Sequence, residues 1–134
     1  MESCYWAIEQ LPGLSQEQQA QLQAVGIVTT QQLLALANTA LKKQALAAQL
    51  KIHLQYINKW VALADLARIP SVGCQHCGLL LHSGIASVVQ LAQTPIHRLH
   101  RQILRLHVAT LQRNDLCPSV DVVQRWIAEA KMLI

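Results

Sequence analysis

The sequence of 134 residues contains no phenylalanine, and only 13% of its residues are charged. Because 52% are hydrophobic, the core has to be built from Leu, Ile, Val and Ala, with three Trp and two Tyr as its large side chains. No apolar run reaches the roughly 18 to 20 residues of a membrane helix. The first residues, MESCYWAIEQ, lack the basic start and apolar middle of a signal peptide. We therefore expect a cytoplasmic domain without a membrane partner.

The chain also lacks the alternating pattern of strands and of βαβ units, which predicts an all-α fold. Helix starts are predicted where a hydroxyl residue precedes Gln by three positions, as in Ser15 with Gln18, Thr29 with Gln32, and Ser87 with Gln90. A long helix is predicted from Leu54 to Ile69, ended by Pro70. We expect a short helix over CYWAIEQ near the N-terminus as well, and a helix break at residues 114–118.

An internal repeat is visible when the chain is shifted along itself. A shift of 58 aligns apolar, Gly and Pro positions, among them Pro12 with Pro70, Gly26 with Gly84, and Leu33 with Leu91. A shift of 66 aligns residues 59–62 (KWVA) with 125–128 (RWIA), so the second copy carries an insertion between about Gln102 and Leu116. We predict one compact domain made of two tandem helical repeats, residues 1–65 and 66–134, which share the helix at about 53–69.

The segment LPGLSQEQQAQLQAVGI resembles the helix-hairpin-helix motif, with Gly13 in its turn and Gly26-Ile27 at its end. The segments WVALADLARIPSVG, LLLHSGIASVVQLA and RWIAEAKML are similar to a bacterial and archaeal domain family of unknown function whose members carry two such motifs. This resemblance extends from Ile8 to Leu133. It implies hairpin turns at Pro12, Gly13 and Ser15 in the first copy and at Pro70 and Gly73 in the second.

The hairpins suggest contact with phosphate. Glycines in such a turn let backbone N–H groups approach an anion at the start of a helix. Each copy keeps one glycine, in Gly13-Leu14-Ser15 and in Ser71-Val72-Gly73. Glu17 would repel a phosphate from the first hairpin, whereas Arg68 precedes the second, so Arg68, Ser71 and Gly73 are the predicted contacts. The alternative is that both hairpins are packing turns that bind nothing.

Positive charge is concentrated in the second half of the chain. Residues 1–65 hold four basic and four acidic residues, whereas residues 66–134 hold seven and three. Within a predicted helix at 96–107, Arg98, Arg101 and Arg105 share one face, which is typical of a surface that follows nucleic-acid phosphates. His97, His100 and His107 are also predicted to lie off the leucine face. The alternative is an ordinary solvated face.

The four cysteines include one CxxC pair, Cys74 and Cys77, with the first of them at a helix start that favours a thiolate. Zinc sites usually need two such pairs, so we expect no metal or other cofactor and interpret Cys77 as a core thiol. The chain shows no nucleophile motif or phosphate-binding loop, and Asp65, Asp115 and Asp121 stand singly. We expect no catalytic residues, no enzyme activity and no small-molecule substrate.

Two functions remain open after these exclusions. The first is a non-catalytic module that contacts nucleic-acid backbone, independently of sequence, through the second hairpin and the basic helix. The second is an adaptor that binds a protein partner through apolar helix faces, which the low charge and a mean hydropathy of +0.24 favour.

Overall fold

Hydroxyl side chains mark the starts of the helices. The computed structural model describes residues 2–111 and 117–134, with side chains described for 2–108 and 117–134. Several described helices begin after a residue whose hydroxyl oxygen accepts a hydrogen bond from the N–H three residues later: Ser15, Thr29, Thr39, Ser87 and Ser119. Such caps satisfy N–H groups that have no partner inside the helix. The three helix starts predicted from the sequence are among them.

Helices account for nearly all regular structure in the described residues. In chain order they are α1 (Gln16–Ala24), α2 (Thr30–Leu36), α3 (Ala40–Leu50), α4 (Leu54–Ala67), α5 (Gly73–His82), α6 (Val88–Gln93), α7 (Ile96–Leu111) and α8 (Val120–Leu133). A short 3-10 helix, Ile8–Gln10, precedes α1, and an isolated β-bridge joins Ala7 to Thr29. The predicted all-α class is confirmed. Of the helices in this part of the chain, none is both long and apolar enough to span a membrane.

The first and last residues of several helices agree with the shifts of 58 and 66 that align the sequence with itself. A shift of 58 carries α1 to residues 74–82 and α2 to 88–94, which nearly coincide with α5 and α6. A shift of 66 carries α4 onto the bounds of α8. Gly26 and Gly84 end α1 and α5 with φ values of +87° and +96°, in the left-handed region that glycine adopts at low cost.

Helix α4 lies at the centre of the domain and packs against α2, α3 and α5. Its buried residues recur at helical spacing and include Ile57, Trp60 and Leu63. In the second half, α8 packs against α6 and α7, and Trp126 occupies the place of Trp60 at the offset of 66. Both tryptophans are 1% exposed, so each half contributes one large aromatic side chain to a continuous core.

The N-terminal segment differs from the expectation. The predicted short helix over CYWAIEQ is wrong, because regular helical structure begins only at Ile8 and is a single 3-10 turn. The backbone instead pairs with the start of α2: Ile8 N–H donates to the Val28 carbonyl, and Thr30 N–H donates to the Trp6 carbonyl. Pairing at this distance in sequence satisfies the polar backbone groups without a helix.

Part of the extra length in the second copy lies in a longer helix. A shift of 58 carries the last residue of α3 to position 108, whereas α7 ends at Leu111, which accounts for three residues of the predicted insertion between about Gln102 and Leu116. Residues 112–116, on which most of the predicted break at 114–118 falls, lie outside the described residues.

Candidate nucleic-acid interface

Three arginines form an exposed surface on α7, which we call the arginine face. Arg98, Arg101 and Arg105 are all exposed, whereas Leu99 and Ile103 of the same helix are fully buried. At a rise of about 1.5 Å per residue, successive arginines lie roughly 4.5 and 6 Å apart along the helix axis. Within the described residues, none of the three forms an ion pair with a carboxylate. Their charges therefore face solvent.

The histidines of α7 do not all join the arginine face. His97 is exposed, but His100 Nε2 lies 3.0 Å from the carbonyl oxygen of Pro118, and both ring nitrogens of His107 are buried. The expectation that all three lie off the packed face is thus wrong for His100 and His107. Both follow the spacing of Ile96 and Ile103, since positions 96, 100, 103 and 107 form one stripe of a helix.

The second hairpin is closed by a carboxylate from α8. Ser71 lies in the turn between α4 and α5; its backbone N–H donates to Glu129 Oε1 at 2.9 Å, and its hydroxyl donates to Glu129 Oε2 at 2.5 Å. Arg125 Nε donates to Oε2 of the same carboxylate at 2.9 Å. Burial, the largest influence, would raise the pKa of Glu129, but the hydrogen bonds from Ser71 and Arg125 outweigh it and hold the pKa below its usual value. The donors of the Ser71 turn are therefore engaged within the chain.

Trp6 covers the start of α5 beside this turn. Its indole Nε1 donates to the Ala67 carbonyl at 2.7 Å. Gly73, the first residue of α5, has φ +54°, and a Cβ added to it would lie 3.2 Å from Cζ2 of Trp6. The glycine is thus required both by its backbone conformation and by the close approach of the indole ring. In this arrangement Gly73 faces the N-terminal segment of the chain.

Arg68 is also engaged within the domain. Its Nε donates to Asp65 Oδ1 at 2.8 Å, and its Nη1 donates to the Ser3 hydroxyl at 3.2 Å. Its carbonyl accepts a hydrogen bond from the Cys4 N–H. Of the residues predicted to contact phosphate, Arg68, Ser71 and Gly73 therefore belong to an internal network, whereas the arginine face points outward.

The first hairpin is more open than the second. Pro12, Gly13 and Ser15 lie in the connection before α1, and Gly13 and Ser15 are exposed. Gly13 has φ +81°, and Lys59 Nζ lies 3.3 Å from the position of an added Cβ. The Ser15 oxygen and the Gln18 side chain form a capping box at the start of α1. A basic side chain from α4 thus stands beside the turn, where the second hairpin has a carboxylate.

The cysteine pair lies at the start of α5. Burial, the largest cause, and the neighbouring Cys74 raise the pKa of Cys77 to about 12, and burial raises the pKa of Cys74 as well. The thiolate expected at this helix start is therefore not favoured, because burial outweighs the helix dipole. Cys77 is fully buried in the core, as predicted. Among the described residues there is no group of three or more His, Cys, Asp or Glu that could hold a metal ion.

Sequence reasoning missed Glu129 as the residue that closes the second hairpin. A signal existed, since the offset of 66 places Glu129 opposite Leu63, which is buried in α4. A carboxylate at a position that corresponds to a buried leucine needs hydrogen-bond donors from within the protein. Trp6 left no comparable signal, because its contact with Gly73 joins residues far apart in sequence.

The family model for a domain of unknown function, DUF4332, matches residues 12–133. The chain belongs to this family. The match begins before α1 and ends with α8, so it covers all eight described helices. The resemblance to a domain family of unknown function is thereby confirmed. No curated protein matches the chain, and no solved structure matches it.

Proposed function

We propose that this domain is a non-catalytic module that contacts the backbone of a nucleic acid, independently of base sequence, through the arginine face of α7. The observation that carries the proposal is the exposure of Arg98, Arg101 and Arg105 on one side of the helix, without a carboxylate partner in the described residues. Each guanidinium can donate two parallel hydrogen bonds to a phosphate. Three such groups on one face suit a chain of successive anions.

The distribution of charge supports the same surface. The second half of the chain carries the whole net charge of +4, because the basic and acidic residues of the first half are equal in number. Two of the other cations in the second half, Arg68 and Arg125, pair with carboxylates. The second hairpin contributes indirectly in this proposal, by fixing α5 and α8 through Ser71 and Glu129.

Binding of this type depends steeply on salt, because each arginine that meets a phosphate releases condensed counterions. Fluorescence anisotropy with labelled single- and double-stranded DNA and RNA measures this dependence. The triple variant Arg98→Gln, Arg101→Gln, Arg105→Gln should lower the slope of log affinity against log salt by roughly 0.7 to 0.9 for each lost contact. Changing the base sequence of the probe should leave the affinity nearly unchanged.

A matched control distinguishes binding at the arginine face from general electrostatic attraction between a basic protein and nucleic acid. The variant Lys42→Gln, Lys51→Gln, Lys59→Gln removes the same number of positive charges from exposed positions in the first half. We expect it to retain most of the salt slope. Equal losses in the two triple variants, or no binding at low salt, would contradict the proposal.

A second candidate function, a protein adaptor, is favoured by apolar exposure around the connection between α2 and α3. Leu41 is 78% exposed and Leu36 is 48% exposed, and Leu36 lines a shallow groove with Val25 and Leu46. A pull-down at low and high salt discriminates the two functions. A protein partner should stay bound to the wild type at high salt and should not bind the double variant Leu36→Gln, Leu41→Gln. Nucleic acid should be released by high salt and should bind the double variant as it binds the wild type.

A further inference from the structure

A cleft of about 600 Å³ lies between α2, α3 and α4, with residues 86 and 87 on its far side. It opens beside the junction of the two repeats, since α4 belongs to both. Its size is within the range of small-molecule sites, which run from roughly 300 to 1,000 Å³. None of the three residues of the arginine face lines it.

The floor of the cleft is apolar. Val61 and Ala62 of α4 line one side, and Leu34 of α2 and Ala37, which follows α2, line the other. Val61, Ala62 and Leu34 are partly exposed there, and Val61 and Leu34 also pack against the core. Partly exposed apolar side chains that face each other across a concave surface favour an occupant with a hydrocarbon body.

The rim of the cleft is positively charged. Arg68 and Lys43 both line it, together with one acid, Asp65. Asp65 is fully engaged, because Oδ1 accepts from Arg68 Nε and Oδ2 accepts from the Val88 N–H at the start of α6, each at 2.8 Å. Lys43 has no ion-pair partner among the residues that the structure describes. Arg68 and Asp65 pair with each other, so Lys43 supplies the remaining positive charge of the cleft lining.

We propose that this cleft binds a small amphipathic carboxylate, with its charged group at Lys43 and its hydrocarbon body on Val61 and Ala62. The excess of one positive charge matches a monoanion, whereas a phosphate monoester would bring nearly two negative charges. The phenol of Tyr5, which is exposed, adds a hydrogen-bonding group to the lining of the cleft. This site is separate from the arginine face and does not depend on nucleic-acid binding.

The test is a titration of the isotope-labelled protein with octanoate, followed by backbone and side-chain amide shifts in two-dimensional NMR. Saturable shifts at Asn38, Asn58 and Ser87, which line the cleft, are expected with one octanoate per chain. Octanol has the same body without the charge and should bind about tenfold more weakly, the difference that one charge-assisted contact makes. Acetate has the charge without the body and should cause no saturable shift.

Two variants and one control test whether octanoate binds in this cleft. Lys43→Gln should weaken octanoate binding and leave octanol binding unchanged, whereas Val61→Asp should abolish both. Lys42→Gln, the neighbouring exposed position outside the cleft, should match the wild type. Melting temperatures show whether Val61→Asp remains folded, and Lys43→Gln carries the test if it does not. Equal octanol and octanoate affinities, equal effects of Lys42→Gln and Lys43→Gln, or no saturation would overturn the proposal.

Discussion

The two hairpins of this domain occupy equivalent places in the repeat but are completed in different ways. Gly13 of the first and Ser71 of the second correspond at the offset of 58. Lys59 of α4 stands beside Gly13, and Gly13 remains exposed. At Ser71 the chain supplies its own carboxylate, Glu129, which is 5% exposed and accepts both the backbone N–H and the hydroxyl of the turn.

The difference shows that two turns at corresponding positions of the chain can have different partners. At the offset of 66, the pair Lys59 and Leu63 of α4 corresponds to Arg125 and Glu129 of α8. Glu129 stands where the first half has a buried leucine, and the arginine one turn earlier pairs with it. The second turn is thus a joint between α5 and α8, whereas the first turn has only a cation beside it.

The largest expected effect tests whether the two halves have equivalent cores. Trp60→Ala and Trp126→Ala should each cost about 3–5 kcal/mol in unfolding free energy, because each removes a large side chain that is 1% exposed. Urea denaturation measures both. Leu41→Ala, at a position on α3 that is 78% exposed, is the control and should cost less than about 1 kcal/mol. A loss below about 1 kcal/mol at only one tryptophan would show that the halves are not equivalent.

The next effect distinguishes the two hairpin glycines. Gly73→Ala should cost about 1–3 kcal/mol, because it adds strain at φ +54° and pushes a Cβ against the Trp6 ring. Gly13→Ala should cost about 1 kcal/mol, since its Cβ would meet only the flexible end of Lys59. Denaturant melts of both variants check the order. In a Trp6→Val background, Gly73→Ala should cost less than it does alone, and additive losses would argue against the contact with Trp6.

The Glu129 joint should be visible in the pH dependence of stability. Because its pKa is lowered in the folded state, its contribution is present above the unfolded value of about 4.3 and is lost as pH falls through the folded pKa. Glu129→Gln should cost about 1–3 kcal/mol near neutral pH, since a donor at Ser71 loses its acceptor. The difference from wild type should shrink between about pH 6 and pH 3.

Glu17→Gln provides the matched control for that experiment. Glu17 lies in the first turn of α1 and is exposed, so its replacement should leave the stability and its pH dependence nearly unchanged. Thermal melts across the pH range compare the two variants. A constant gap between Glu129→Gln and wild type down to low pH would mean that the carboxylate charge does not hold the joint.

The parts of the fold that were predicted rest on local signals. Capping pairs such as Ser87 with Gln90 act over three residues, and the matched residues 59–62 and 125–128 lie inside α4 and α8. The arginine face is local in the same sense, since the spacing of Arg98, Arg101 and Arg105 fixes their common side. Its exposure follows from the burial of Leu99 and Ile103 opposite.

The contacts that were not predicted join residues that lie far apart in the sequence. Ser71 and Glu129 are 58 residues apart, and Trp6 and Ala67 are 61 residues apart. No helical periodicity reports such contacts, although a charge in a core position of the repeat could have directed attention to Glu129. Histidine was the other difficulty, because it is counted as polar while His107 occupies a packed stripe of α7. Composition alone cannot assign such a side chain to either face.

The smallest effect sharpens the comparison between the two basic residues beside the hairpins. Arg125 donates to Glu129, but its side chain is 74% exposed, so solvent and salt screen the pair. Arg125→Gln should therefore cost at most about 1 kcal/mol, and the loss should shrink in high salt. Lys59→Gln should cause no measurable change, because no carboxylate pairs with Lys59 in the described residues. Urea melts at low and high salt measure both. If Lys59→Gln lowered the unfolding free energy as much as Arg125→Gln, the first hairpin would also contain a charge pair. The two turns would then differ less than their contacts indicate.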